Sequence, residues 1–336
     1  MEALLRGLRV LAVIILVAVT TACAALAWLW QTRASPADIP LPLAIATTET
    51  AGHVSVTWLG ITTLLFDDGE TQIITDATFS RFGLSDIVLF RPLESNIAAI
   101  NLVLDKYRIN RLAAIIPLHS HFDHAIDAGQ VANRTGAMIL GSDSTANIAR
   151  GSKVPVDQYQ TLQFGESRYF GKFTITLLES RHVAQLPGGA YFFPGHIDAP
   201  LEQPARVNAW QSGAVYAVLI SHPAGTTLVK GSAGFLPGEL GEHKADAAII
   251  SIAGLESLGR DYTRQYWKEL VTGSGASRVF AIHHDDFTQP FGELALFPDI
   301  VDDVVSTGSW LQDIAASQDP PVEVLLPPLG EPVLLY

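Results

Sequence analysis

Six residues constrain this chain more than any other stretch. HSHFDH, residues 119–124, directly follows the apolar run AAIIPL and places three imidazoles and a carboxylate in one short segment. Helix capping and solvation do not call for three histidines, and core packing would not select them. Imidazole and carboxylate are, however, the donors that suit a divalent cation such as zinc, manganese or iron. Thiolate is excluded as a ligand set, because Cys23 is the only cysteine. In His119-Ser-His121 an extended backbone points both rings to one side. One further imidazole from elsewhere would complete a three-nitrogen site. Asp123 and His124 would face a neighbouring position suited to a second ion about 3.5–4 Å away.

The motif sits where a rigid site can be built. RLAAIIPL reads as a buried strand and HSHFDH as the loop at its end. KFTITLLES, GAVYAVLIS, TTLVKG, ADAAIISI and RVFAIHH read as further strands, several of which end in or near chemistry-bearing residues: His182, Ser232 and His283 or His284. HVSVTWLG and TTLLFDDGETQIITD open the domain as strands, with Asp67-Asp68-Gly69 as a hairpin turn. ESNIAAINLVLDKYRI and AIDAGQVANRT carry helical spacing, and STANIARG a helix opened near Asp143 or Ser144. DIVDDVVSTGSWLQDIAAS reads as the last helix and VEVLLPPLGEPVLLY as a closing hairpin. Short strands alternating with helices indicate an α/β or α+β domain.

The amino terminus carries a second signal. Arg6 and Arg9 precede a run without charge from Val10 to Gln31, about the length that crosses a bilayer, with Trp28 and Trp30 at its far end. Residues 1–31 are therefore expected to be a membrane anchor or signal segment, with the bulk of the protein outside the cytoplasm, on the periplasmic or extracellular side. A cleaved signal peptide ending near Ala25-Leu26-Ala27 and a lipoprotein signal at Cys23 are the alternatives. The Pro-punctuated residues 32–50 read as a linker, and 51–336 as the folded domain. The whole chain has a net charge of −13; without Arg6, Arg9, Arg33 and Glu2 it carries 18 basic against 33 acidic side chains, or −15. Such a surface repels a phosphate backbone, so no nucleic-acid partner is expected.

HSHFDH matches the HxHxDH signature of the metallo-β-lactamase fold hydrolases, and the resemblance covers most of residues 53–330. The stretch VTWLGITTLLFDDGETQIITDATFSRFG resembles the opening of the branch that includes bacterial ascorbate-lactone hydrolases and the phospholipase D acting on N-acyl phosphatidylethanolamine. The resemblance implies a four-layer αβ/βα sandwich with metals at one edge between its sheets. It assigns His119, His121 and His182 to a first metal and Asp123, His124 and His283 to a second, and it makes Asp76 an orienting group behind a ligand histidine. Strand alternation in AIHHDDF does not choose between His283 and His284; His283 is favoured because relatives tend to carry an aromatic residue at the position of His284.

The pattern breaks at one point. Where the family has an aspartate bridging both metals, TLVKGSAGF places Ser232, so the second ion is expected to bind weakly or to need a bridging oxygen from outside; Asp285 or Asp286 are possible compensations. The implied function is metal-dependent hydrolysis of an ester, lactone, amide or phosphodiester. A water activated by the metal is the nucleophile, Asp123 assists as the catalytic carboxylate, and the substrate is a small molecule or lipid-derived. The alternative is a metal-binding, catalytically silent domain that recognises a partner. Tyr191, Phe192, Phe193 and Trp210 either border the pocket or pack their own loop, and His196 is a further residue that could reach the site.

Overall fold

The computed structural model describes residues 2–47 and 53–336. Two seven-stranded sheets face each other. The first runs in the order Pro332–Leu334, Ser55–Trp58, Leu64–Asp67, Gln72–Thr75, Leu112–Ile116, Met138–Gly141, Tyr159–Thr161. The second runs Glu323–Leu325, Arg278–Ile282, Ala247–Ser251, Gly225–Lys230, Tyr216–His222, Phe173–Glu179, Ser167–Phe170. Each is part antiparallel and part parallel.

Strand alternation builds the layers. Ile73, Ala114, Ile116 and Leu140 of the first sheet meet Ile175, Val218, Ile220 and Phe280 of the second in one central core. Their chain neighbours Ile74, Ile115 and Ile139 point the other way, onto Ile100 and Val103 of the helix Ile97–Lys106 and Val131 of the helix Ala128–Thr135. On the far side Leu219, Ala248 and Val279 pack against Tyr266, Trp267, Leu270 and Leu311. These come from the helix Arg260–Trp267, its π-helical continuation Lys268–Thr272, and the helix Val304–Ala316. Because side chains along a strand alternate between faces, one sheet can bury both surfaces, and the four-layer αβ/βα sandwich follows.

Several local expectations need correction. VEVLLPPLGEPVLLY is not a hairpin: Glu323–Leu325 pairs with Arg278–Ile282, whereas Pro332–Leu334 pairs with Ser55–Trp58 on the other sheet. The helix Asp143–Gly151 does start where expected, capped by Ser142, whose Oγ accepts from Thr145 N at 3.3 Å. HSHFDH is only in part a loop, since Phe122–Ala125 forms a short helix started by the His121 carbonyl.

Glu2–Gln31 is a single helix, and none of its most apolar 18-residue window is buried. It is long and apolar enough to serve as a membrane anchor or signal sequence. The segment behind it, expected as a linker, packs on the domain over its described part. Ile39, Leu41 and Ala44 are buried, and Gly308 lies against Ile39 and Pro40. Arg33 Nη1 pairs with Asp286 Oδ2 at 2.7 Å. Residues 48–52, covering the end of that segment and the start of the expected domain, lie outside the described residues.

Candidate metal centre

Strand ends from both sheets supply the site. His119, His121 and His182 each offer a ring nitrogen, and these nitrogens lie within 4.8 Å of one another; the same holds for one donor atom each of Asp123, His124 and His283. His119 Nε2 and His121 Nδ1 are 3.0 Å apart. Two nitrogens on one tetrahedral zinc would be separated by about 3.3 Å, given zinc–nitrogen distances of 2.0–2.1 Å. The two trios adjoin, with the His119 and His124 rings 3.8 Å apart between centroids.

A buried frame fixes the second trio. Asp76 follows the strand Gln72–Thr75 with φ +43°, and its amide still donates to Ile116 O. Its Oδ1 accepts from Leu118 N at 2.6 Å, and its Oδ2 lies 2.8 Å from His124 Nδ1 and accepts from Thr62 Oγ1 at 2.6 Å. A carboxylate on the remote ring nitrogen sets the tautomer and aim of an imidazole, leaving Nε2 facing Asp123, at 3.3 Å from Oδ2. A Cβ on Gly231 would stand 2.6 Å from Leu118 Cδ1 and 3.3 Å from Asp76 Oδ2, so only glycine lets this backbone come so close.

His283, rather than His284, shares the trio: its Nε2 lies 3.8 Å from Asp123 Oδ2. The backbone explains what alternation could not, because His283 has φ +61° and donates its amide to Ile61 O. His284 turns into the interior, where its ring packs 4.8 Å from that of Trp58. Burial lowers it to about 4.

The first trio is held differently. His182 Nδ1 donates to Val183 O at 2.8 Å, and Val183 N donates to Ser232 Oγ at 2.9 Å. Ser232 thus braces the His182 loop. Tyr191 stacks on His182 with centroids 4.6 Å apart, and His121 Nε2 lies 3.1 Å from Phe193 O. Trp210 does not border the site; it is wholly buried in the core beneath the loops with Phe122 and Ile126. His196 lines a separate, open cavity of ≈ 470 Å³ whose walls include none of the six clustered residues. Both carboxylate oxygens of Asp285 accept from Ile61 N, at 3.0 and 2.9 Å, and Asp286 pairs with Arg33. Both are committed to holding loops.

The electrostatics divide the trios. Burial pushes His119 well below its ordinary value, lowers His121, and brings His182 down to about 3, so these rings are neutral, each with a lone pair on one nitrogen. His119 Nδ1 is buried with no hydrogen-bond partner. Burial also acts to lower His124, but the Asp123 and Asp76 carboxylates outweigh it and hold the ring up to about 10. Without a cation the ring is an imidazolium whose two N–H groups face Asp76 and Asp123. Both donor sets fit a divalent ion: three neutral imidazoles in one, and two imidazoles with a carboxylate in the other.

Sequence reasoning did not single out Thr62 or Val183. The first is a polar residue on a loop beside a strand and the second an ordinary apolar one, so neither announces its role.

No protein-family model matches the chain, and no curated protein sequence matches it. Solved structures do. An isothiocyanate hydrolase from Delia radicum gut bacteria is 14% identical, covers 83% of this chain and 98% of its own, and superposes with a TM-score of 0.50. A possible metal-dependent hydrolase from Veillonella parvula DSM 2008 is 14% identical, with coverage of 84% and 100% and a TM-score of 0.50. The metallo-β-lactamase fold protein YhfI from Bacillus subtilis is 15% identical, with coverage of 83% and 98% and a TM-score of 0.46. At such identities the likeness is one of fold. The four layers described above are the αβ/βα sandwich expected from the sequence.

Proposed function

We propose that this protein is a membrane-anchored, metal-dependent hydrolase of the metallo-β-lactamase superfamily. The observation that carries the reading is the meeting of two donor trios from both sheets at one place. His119, His121 and His182 would hold one divalent ion, and Asp123, His124 and His283 a second, with zinc the first candidate and manganese or iron alternatives. When bound, such ions supply Lewis acidity, which brings the pKa of a water toward neutrality and polarises an oxygen of the bond to be cleaved. The chain's own residues do the rest. Asp123 takes a proton from the attacking water, Asp76 and Thr62 keep His124 aimed, and Tyr191 keeps the His182 ring in place. The bond cleaved is an ester, lactone, amide or phosphodiester, in keeping with the branch of ascorbate-lactone hydrolases and N-acyl phosphatidylethanolamine phospholipase D that the opening strands resemble. Arg6 and Arg9 before the apolar helix support a catalytic domain outside the cytoplasm.

A second reading is favoured by Ser232. With no carboxylate at that position, a metal-binding but catalytically silent domain that recognises a partner is the competitor. The full chain in detergent, loaded with zinc or manganese, should turn over aryl esters, lactones or bis-aryl phosphodiesters, and His121→Ala should lose metal and turnover together. Tight metal binding with no turnover on any of these substrates would establish the competitor instead.

A further inference from the structure

The anchor and the metal centre are not separated by a tether. Arg33 stands two residues beyond the helix Glu2–Gln31, at most about 7.6 Å along the chain from its end. It is paired with Asp286, whose side chain is fully buried. The next residue, Phe287, packs against Phe122 and His283 and, together with Phe82, Ile87 and Asp123, lines the crevice beside the second trio. The uncharged run Val10–Gln31 is 22 residues, or about 33 Å of helix, close to the hydrocarbon thickness of a bilayer. When that run spans, Trp28, Trp30 and Arg33 fall at the headgroup boundary. The crevice wall tied to Arg33 is held at the same level.

The helix that lends Ile87 to this crevice forms an apolar, uncovered rim beside it. In the helix Leu84–Val88 no residue is buried, and Leu84, Val88, Leu89 and Phe90 are 40, 61, 62 and 43% exposed. Phe90 reaches the ring of Phe193, whose carbonyl meets His121, and the neighbouring Phe192 is 51% exposed. Single exposed apolar side chains are ordinary, but four within seven residues at the mouth of a metal centre form a patch.

We infer that this rim is seated in the headgroup region of the bilayer that the anchor spans. The site mouth then opens onto the membrane, and its substrate is an amphiphile presented from the bilayer with its cleavable bond near the headgroups. The occupant is the bilayer rather than a second copy of the chain, because the Arg33–Asp286 pair fixes the rim beside the point where the helix leaves the membrane. The orientation stands on its own; only the identity of the site's work on the amphiphile rests on the hydrolase reading.

The test uses the full chain in phosphatidylcholine–phosphatidylglycerol vesicles, with Cys23→Ser and an environment-sensitive NBD dye attached through Leu89→Cys or, as the distant control, Tyr169→Cys. Tyr169 is 76% exposed on an edge strand of the second sheet. The expected result is blue-shifted emission, quenched by lipids brominated near the headgroup, at position 89 and not at 169. Equal, water-like emission at both positions overturns the inference, as does energy transfer between position-89 labels on separate copies at high lipid dilution. This readout needs neither metal nor turnover, so its failure is distinct from failure of the hydrolase reading. In the same vesicles, Val88→Asp with Leu89→Asp should lower turnover of a long-chain ester held in the bilayer about tenfold or more and leave a water-soluble aryl ester unaffected. Equal turnover of the bilayer-held ester by variant and parent chain also overturns it.

Discussion

The Asp76 carboxylate lies 2.8 Å from His124 Nδ1, and Thr62 Oγ1 bonds to the same carboxylate oxygen. All three groups are buried. Asp76→Asn keeps the volume but removes the charge that fixes the tautomer of His124. Metal affinity at the Asp123–His124–His283 set should fall about 10–100-fold. Titration with a chromophoric chelator would check this; an unchanged affinity would show that the contact does not govern the ring.

The two donor sets should differ in their response to pH. The rings of His119, His121 and His182 are depressed below their ordinary value, so metal entering there displaces no proton at neutral and alkaline pH. His124 is raised to about 10, and a metal must expel its proton anywhere below that pH. Affinity for the second ion should therefore rise roughly tenfold per pH unit across neutral and mildly alkaline pH while the first stays nearly flat. Two parallel curves in calorimetric metal titrations would sink the assignment.

Ser232→Asp introduces the missing carboxylate at the cost of the hydroxyl that accepts from Val183 N. After mild chelation the wild-type protein should keep close to one equivalent of metal, and the variant more than one. Elemental analysis decides between these outcomes. Two ions held equally firmly by the wild type would contradict the role given to this position.

Arg33→Ala leaves the fully buried Asp286 without its cation, though Thr288 N, Thr288 Oγ1 and Gln289 Nε2 still donate to it. A loss of about 1–3 kcal/mol is expected, less than for a pair with no other donors. The solvent-exposed pair Arg91–Asp86 provides the contrast: Arg91→Ala should change stability by about 0.5 kcal/mol or less. Unfolding of the full chain in detergent micelles would measure both.

Much of this was legible in the sequence because short-range spacing carried it. HSHFDH needs no long-range information, and runs such as LAAII and AAIIS announce buried strands. Alternation failed at His283 and His284, because the left-handed backbone at 283 resets the pattern that adjacent residues on a strand would obey. The closing hairpin failed for a different reason: turn chemistry in PPLGEP shows where the chain bends but not which sheet receives each arm. The helix Arg260–Trp267 and its continuation are not evident from the sequence although Thr263, Tyr266, Trp267, Leu270 and Val271 recur at helical spacing and are all buried. The charged residues between them masked the period. The contact of Arg33 with Asp286 spans 253 positions, and nothing local foretells it.

The arms of that final segment have a mechanical meaning. Glu323–Leu325 and Pro332–Leu334 stitch opposite sheets together through six intervening residues. HSHFDH is borne by one sheet, while His182 and His283 hang from the other. Sliding of the sheets past each other would have to stretch this stitch, so the spacing between the two sets of donors is clamped from the edge, before any ion arrives to draw them together.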